Sequence, residues 1–268
     1  MATRPRGPRA RGSRASILCA GLALVLAASA GAEPVAVRYT EGVVHGFLRL
    51  GTLDGTRLAD GDLLQTAHGD RVTTRLVFRF HDGSLHDETT VFSERGRFRL
   101  IEDHLVQKGP SFPHPVDVTI DGGSGRVRGT SEDGAKVTAV DGRLRLPADV
   151  ANGMVTVLLK NLQRGLQHVS LSMVAATPKP RLVTLQIANT GEDPFSIGGS
   201  ERRATHYVIK VEIGGLAGVV APLVGKQPAD TQVWILGGDV PAFVRSEGPL
   251  YNGGPIWRIE LASPTWKH

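Results

Sequence analysis

The chain has 268 residues and a formal net charge of +5 at pH 7, from 31 basic and 26 acidic side chains. Residues 1–32 carry five of those 31 bases (Arg4, Arg6, Arg9, Arg11, Arg14) and no acid, so residues 33–268 hold 26 of each sign. A neutral remainder, in a chain 41% hydrophobic and 21% charged, excludes a disordered polyelectrolyte and gives no ground for nucleic-acid binding.

The first 32 residues have the three-part layout of a secretory signal peptide. An Arg-rich start leads into an apolar run, Ile17 to Ala28, and Ala30-Gly31-Ala32 supplies small residues for cleavage after Ala32. The run is shorter than the roughly 20 residues that a membrane-spanning helix needs. Cys19 lies inside it and is the sole cysteine, so the expected mature protein is free of cysteine and has neither disulfides nor a thiol nucleophile. The expectation is a soluble protein, periplasmic or secreted from a bacterium, that does not span a membrane.

Residues 33–268 read as a single all-β domain, an open or partly closed antiparallel barrel. Asp-Gly pairs at 54–55, 60–61, 82–83, 121–122, 133–134 and 141–142 mark turns, because glycine adopts the positive φ that tight hairpins need. Between them apolar and polar residues alternate: Val72, Leu76, Phe78 and Phe80 against Arg75 and Arg79; Val116, Val118 and Ile120 against Asp117 and Thr119. Later runs repeat this, with Tyr207, Ile209, Val211 and Ile213, then Trp257, Ile259 and Leu261. One wet face and one buried face is the pattern of antiparallel sheet.

The hairpin Phe80-His-Asp-Gly-Ser-Leu-His-Asp-Glu88 holds the candidate chemistry. A two-residue Asp82-Gly83 turn pairs Phe80 with Leu85, Arg79 with His86, Phe78 with Asp87 and Val77 with Glu88. Asp87 then sits on the apolar face beside Phe78, where a carboxylate needs a donor or takes a raised pKa. In that position it orients a ligand's polar head, acts as a general acid/base, or makes a structural hydrogen bond. A three-residue loop flips the register and sends His86 and Glu88 inward. His81, His86 and His104 each adjoin an Asp, but their spacing matches no metal motif, and no metal or cofactor is expected. There is no Gly-x-Ser-x-Gly elbow, and Gly225-Lys226 lacks the spacing of a phosphate loop, so no catalytic residue is assigned.

Pro147 to Leu162 departs from period two. Pro147 suits a first helical position, and Val150, Met154, Val157, Leu158 and Leu162 follow helical spacing, which predicts a helix near 147–162. Thr177 to Arg181 reads as a connector within one sheet. Gly214 to Pro228, apolar and rich in glycine, reads either as a flap over a cavity or as a buried connection.

Three segments, Gly109–Pro115, Leu146–Met154 and Gly253–Leu261, give the chain a resemblance to bacterial exported proteins of unknown function. That resemblance implies the open β-barrel of the periplasmic lipoprotein carriers. The likeness covers most of residues 35–262 and is one of architecture. It implies an apolar cavity between a half-barrel and its covering helix, and it carries no functional residue with it.

The function expected is therefore non-enzymatic: an exported protein holding an apolar or amphipathic, lipid-like molecule in the barrel. Phe78, Phe80, Phe98 and Leu100, on the apolar parity of neighbouring strands, are the candidate wall residues, with Asp87 as the polar contact. An exported hydrolase combining Asp87 with a nearby His, or a structural or assembly protein of the envelope, are the alternatives. No protein partner is identified.

Overall fold

A computed structural model describes residues 1–3, 33–197, 200–213 and 228–262. The alternating runs become strands, and each half of the chain forms an antiparallel meander. The first half contains β1 (Val44–Gly51), β2 (Arg57–His68), β3 (Arg71–Phe80), β4 (Leu85–Ser93), β5 (Arg99–Lys108), β6 (Val116–Asp121), β7 (Arg126–Asp133) and β8 (Lys136–Arg143). After α1 (Val155–Lys160) come β9 (His168–Ala175), β10 (Arg181–Ile197), β11 (Ser200–Glu212), β12 (Thr231–Leu236), β13 (Ala242–Gly248) and β14 (Trp257–Leu261). The two meanders join where β1 pairs with β14, Leu48 opposite Leu261 and Leu50 opposite Ile259. The result is one 14-stranded sheet in the order β8-β7-β6-β5-β4-β3-β2-β1-β14-β13-β12-β11-β10-β9, with β8 and β9 as its two outermost strands. Gly31–His268 forms one compact unit.

The sheet curls but does not close. Leu171 and Leu185 face inward with the main core, whereas Val174 and its partner Leu182 have the opposite parity. On that outer side they pack with Val118, Ile120, Val127 and Val140 from β6–β8, together with Val150. The β8 end thus overlaps the outside of the β9 end, like the seam of a scroll. A Cβ on Gly142 would lie 3.2 Å from Pro180, which shows how closely the two ends approach. The segment before α1 covers the β9 edge. Asn152 spans it with its amide, Nδ2 donating to the Val174 carbonyl (3.0 Å) and Oδ1 accepting from the Val174 amide (2.8 Å).

The helix is shorter than the spacing predicts, six residues in place of sixteen. Gly153 has φ +62, and Met154 caps the helix start, so Pro147 to Gly153 is a bent approach. The apolar stripe still does what its spacing implies. Val150, Met154, Val157 and Leu158 are buried, and all but Val150 join Phe92, Phe98, Ile187 and Ile209 in the largest core cluster. Two of the Asp-Gly pairs are not turns: Gly61 lies inside β2 and Gly142 inside β8. Their lack of a Cβ admits a neighbour, since a Cβ on Gly61 would sit 2.4 Å from the Phe78 ring.

Residues 4–32 of the expected leader, including Cys19, and Gly214–Gln227 of the flap segment lie outside the described residues. Among the described residues, no helix is long and apolar enough to cross a membrane.

Candidate functional site

Between α1 and the inner face of β1–β4 lies a cavity of about 700 Å³. Its apolar wall comes from Leu48, Leu63, Leu76, Val157, Phe243 and Ile259, and exposed Val44, Val240 and Leu261 also line it. Its polar lining includes Gln65, Thr74, Glu88, Thr90, Thr156 and Lys160, with Arg38 and Glu41 from the N-terminal segment.

The cross-strand register explains why polar groups meet here. One inner row runs Gln65–Thr74–Thr90–Asp103 across β2 to β5, the next Leu63–Leu76–Glu88–Leu105, and the third Gly61–Phe78–His86–Gln107. This polar band lies between a cluster under α1, with Phe92 and Phe98, and a second one of Phe78, Phe80, Phe112 and Trp257.

Most of the band is internally paired. Thr90 donates its hydroxyl to Asp103 Oδ1 (2.8 Å). Gly153 is the close neighbour of that pair, because a Cβ there would fall 1.8 Å from Thr90 Oγ1 and 2.7 Å from Asp103 Oδ1. Lys160 Nζ lies 2.6 Å from Glu41 Oε1 and 2.7 Å from Oε2, and Gln65 Nε2 donates to Glu41 Oε2 at 2.9 Å. Gln107 Nε2 donates to His86 Nδ1 (3.0 Å) and to the Leu250 carbonyl (2.9 Å). With Nδ1 accepting, His86 carries its proton on Nε2. That nitrogen is buried without a hydrogen-bond partner and stands 3.9 Å from Glu88 Oε2. Burial lowers the His86 pKa to about 4, so the ring is neutral near pH 7. Glu88 makes no hydrogen bond with any described residue, and its remaining 23% side-chain exposure faces the cavity. Burial first, and the negative charge of Asp103 second, push its carboxyl well above the usual carboxylate range; burial raises Asp103 as well.

The hairpin register differs from the two-residue reading. Phe80 N–H donates to the Ser84 carbonyl (2.9 Å) and Gly83 N–H to the Phe80 carbonyl (3.1 Å), so the loop is His81-Asp82-Gly83 with Gly83 at φ +85. A turn followed by a left-handed glycine is the common three-residue hairpin. Asp82 secures it, with Oδ1 accepting from Ser84 N–H (2.8 Å) and Oδ2 from the Ser111 hydroxyl (2.6 Å). Phe78 therefore faces His86, Val77 faces Asp87 and Leu76 faces Glu88. Asp87 lies on the outer face in a bidentate pair with Arg75 (2.9 and 2.6 Å), whose guanidinium holds the carboxyl below its usual range. The placement of Asp87 beside Phe78 on the apolar face is thereby corrected.

The remaining sequence candidates disperse. Phe78 is buried against Gly61; Phe80 packs on Phe112 and Trp257 (5.4 and 5.3 Å between centroids); Phe98 packs on Phe92 (5.9 Å). Leu100 is half-buried beside a second cavity of about 360 Å³ near Pro147. None of the five lines the larger cavity. His81 is exposed, 4.0 Å from Asp60, and His104 is outward, 2.9 Å from Asp117, whereas His86 is inside. Among the described residues no three His, Cys, Asp or Glu side chains converge as metal ligands. Gln65, Thr74 and Thr90 escaped the sequence reading, although Thr74 interrupts the apolar series Val72, Leu76, Phe78 and is thus a visible signal; the inward Glu88 and His86 match the three-residue-loop alternative.

Comparison with family models and with curated proteins finds no match. Among solved structures, the chain is similar to a β-barrel-like protein of a domain of unknown function, DUF1849, from Brucella abortus. Identity is 11% over 84% of this chain and 98% of that one, with a TM-score of 0.47.

Proposed function

We propose that the chain is an exported binding protein that holds an apolar or amphipathic, lipid-like molecule in the cavity between α1 and β1–β4. The observation that carries this reading is the cavity itself. At about 700 Å³ it falls within the size range of small-molecule sites, and it combines an apolar wall with a few polar groups in the way such sites do. The leader-like residues 1–32 support export to the periplasm or beyond. Of the five residues marked in the sequence, Phe78, Phe80 and Phe98 enter this reading as core packing near the cavity, while Asp87 on the outer face and Leu100 beside the second cavity have no part in it.

Gly46 offers a clean test. It lines the cavity, and a Cβ there meets only Leu63 Cβ, at 3.7 Å, so Gly46→Leu fills space without a clash. The full-length gene product, expressed with its own leader and purified from a bacterial periplasm, is expected to carry a lipid-sized mass in native mass spectrometry and to take up a fluorescent acyl probe. Gly46→Leu should lose both while keeping its melting temperature. A bare wild-type chain that takes up no probe overturns the reading.

A further inference from the structure

We propose that Glu88 is the polar anchor of this cavity and selects an apolar molecule with a cationic, hydrogen-bond-donating head, an amphipathic amine, over one of equal length with an anionic head. This rests on the binding function proposed above. The charges on the cavity side do not balance. Among the described residues, two cations line the cavity against the acids Glu41, Glu88 and Asp239: Lys160 is held by both oxygens of Glu41, to which Gln65 also donates, and exposed Arg38 makes no ion pair with Glu88. Glu88 and Asp103 remain, and no described residue places a cation against either on the inner face. Asp103 is closed off by the Thr90 hydroxyl and the Gly153 backbone. Glu88 is open, with its carboxyl on the cavity and no hydrogen bond to it from any described residue.

The neighbour on its other side cannot neutralise it. His86 is buried and Gln107 occupies its Nδ1, which leaves a neutral ring with its N–H 3.9 Å from Glu88. A buried carboxyl with these surroundings favours any guest that supplies positive charge and donors. An ammonium group has both. Above the raised pKa of Glu88, a carboxylate head placed there meets Glu88 and Asp103 as like charges across a poorly solvated space, where repulsion is strong. The apolar walls at Leu63, Leu76 and Ile259 accept the chain of either molecule equally, so the head alone decides between them.

The test titrates the full-length, exported protein at pH 9, above the raised pKa of Glu88 and where an alkylamine is still protonated, with dodecylammonium, dodecanoate and dodecanol, using calorimetry. Wild type is expected to bind the ammonium at least tenfold more tightly than the carboxylate. Glu88→Gln should bring that ratio close to one and leave dodecanol affinity within about threefold, with an intact thermal transition. Equal or tighter binding of dodecanoate, or an ammonium preference unchanged in Glu88→Gln, overturns the anchor and leaves the cavity reading standing. If none of the three binds, or if Gly46→Leu binds all three like wild type, both fall.

Discussion

The inner faces of the two meanders are built differently. Across β9–β12, the buried side chains that face the core are Leu171, Val183, Leu185, Ile187, Tyr207, Ile209, Val233 and Ile235. Across β2–β5 the same face buries Gln65, Thr74, His86, Thr90, Asp103 and Gln107. Every strand-borne buried polar residue among those described lies in this second group, apart from the hairpin-loop and helix positions. The helix packs its Val157, Leu158 and Leu159 into the apolar half, and the cavity opens against the polar half. One half stabilises by burial alone. The other keeps space next to groups that must be hydrogen-bonded, a cost that makes sense where a guest is held.

Substitutions can break or sharpen this contrast. The largest effect is expected where the halves meet. Lys160→Met strands Glu41 as a buried, unpaired carboxylate and should cost about 3–5 kcal/mol in denaturant unfolding. In the apolar half, Ile187→Ala should cost about 2–5 kcal/mol, with no rescue by ligand, since it opens a void in packed core. His86→Phe tests the polar half by pH. Unfolded His binds a proton below about 6.5, the folded ring only near 4, so its neutrality costs wild-type stability as pH falls through that window. Relative to wild type, His86→Phe should gain about 2 kcal/mol between pH 6.5 and 4, read from melting curves.

Glu88→Gln runs in the opposite direction and is the smallest of the four. Because the folded carboxyl is raised, its charged form is penalised above the folded pKa and the penalty vanishes below the ordinary value near 4.5. The variant should therefore be more stable by about 1–2 kcal/mol at pH 9 and indistinguishable from wild type at pH 4. Equal effects at both pH values would show that Glu88 is not an ionisable group in a poorly solvated site.

The strands were legible because period two is a local signal, and Val72 to Phe80 shows it in nine residues. The hairpin register was not. Asp82-Gly83 suits a loop of two residues or three, and the choice depends on Ser111, 29 residues away from Asp82. That one-residue difference exchanges Asp87 for His86 and Glu88 on the inner face. The cavity was hidden for a related reason. Phe78 and Phe98 carry the right parity for a wall, but whether a ring borders space or fills it is decided by partners such as Gly61 in another strand. The helix stripe was read correctly, while its length was overrun because Gly153 takes a left-handed turn imposed by its contact with Thr90.

In a cylinder zipped shut by main-chain bonds, strand number and stagger dictate the bore. Here the last turn of the wrap slides over the first, with aliphatic side chains between them. Bore is therefore tunable by ordinary mutation: enlarging Gly142 where it rides on Pro180 would let out the circumference without unpairing a single strand. Substitutions at this seam would change the girth of the interior on an unchanged hydrogen-bond pattern.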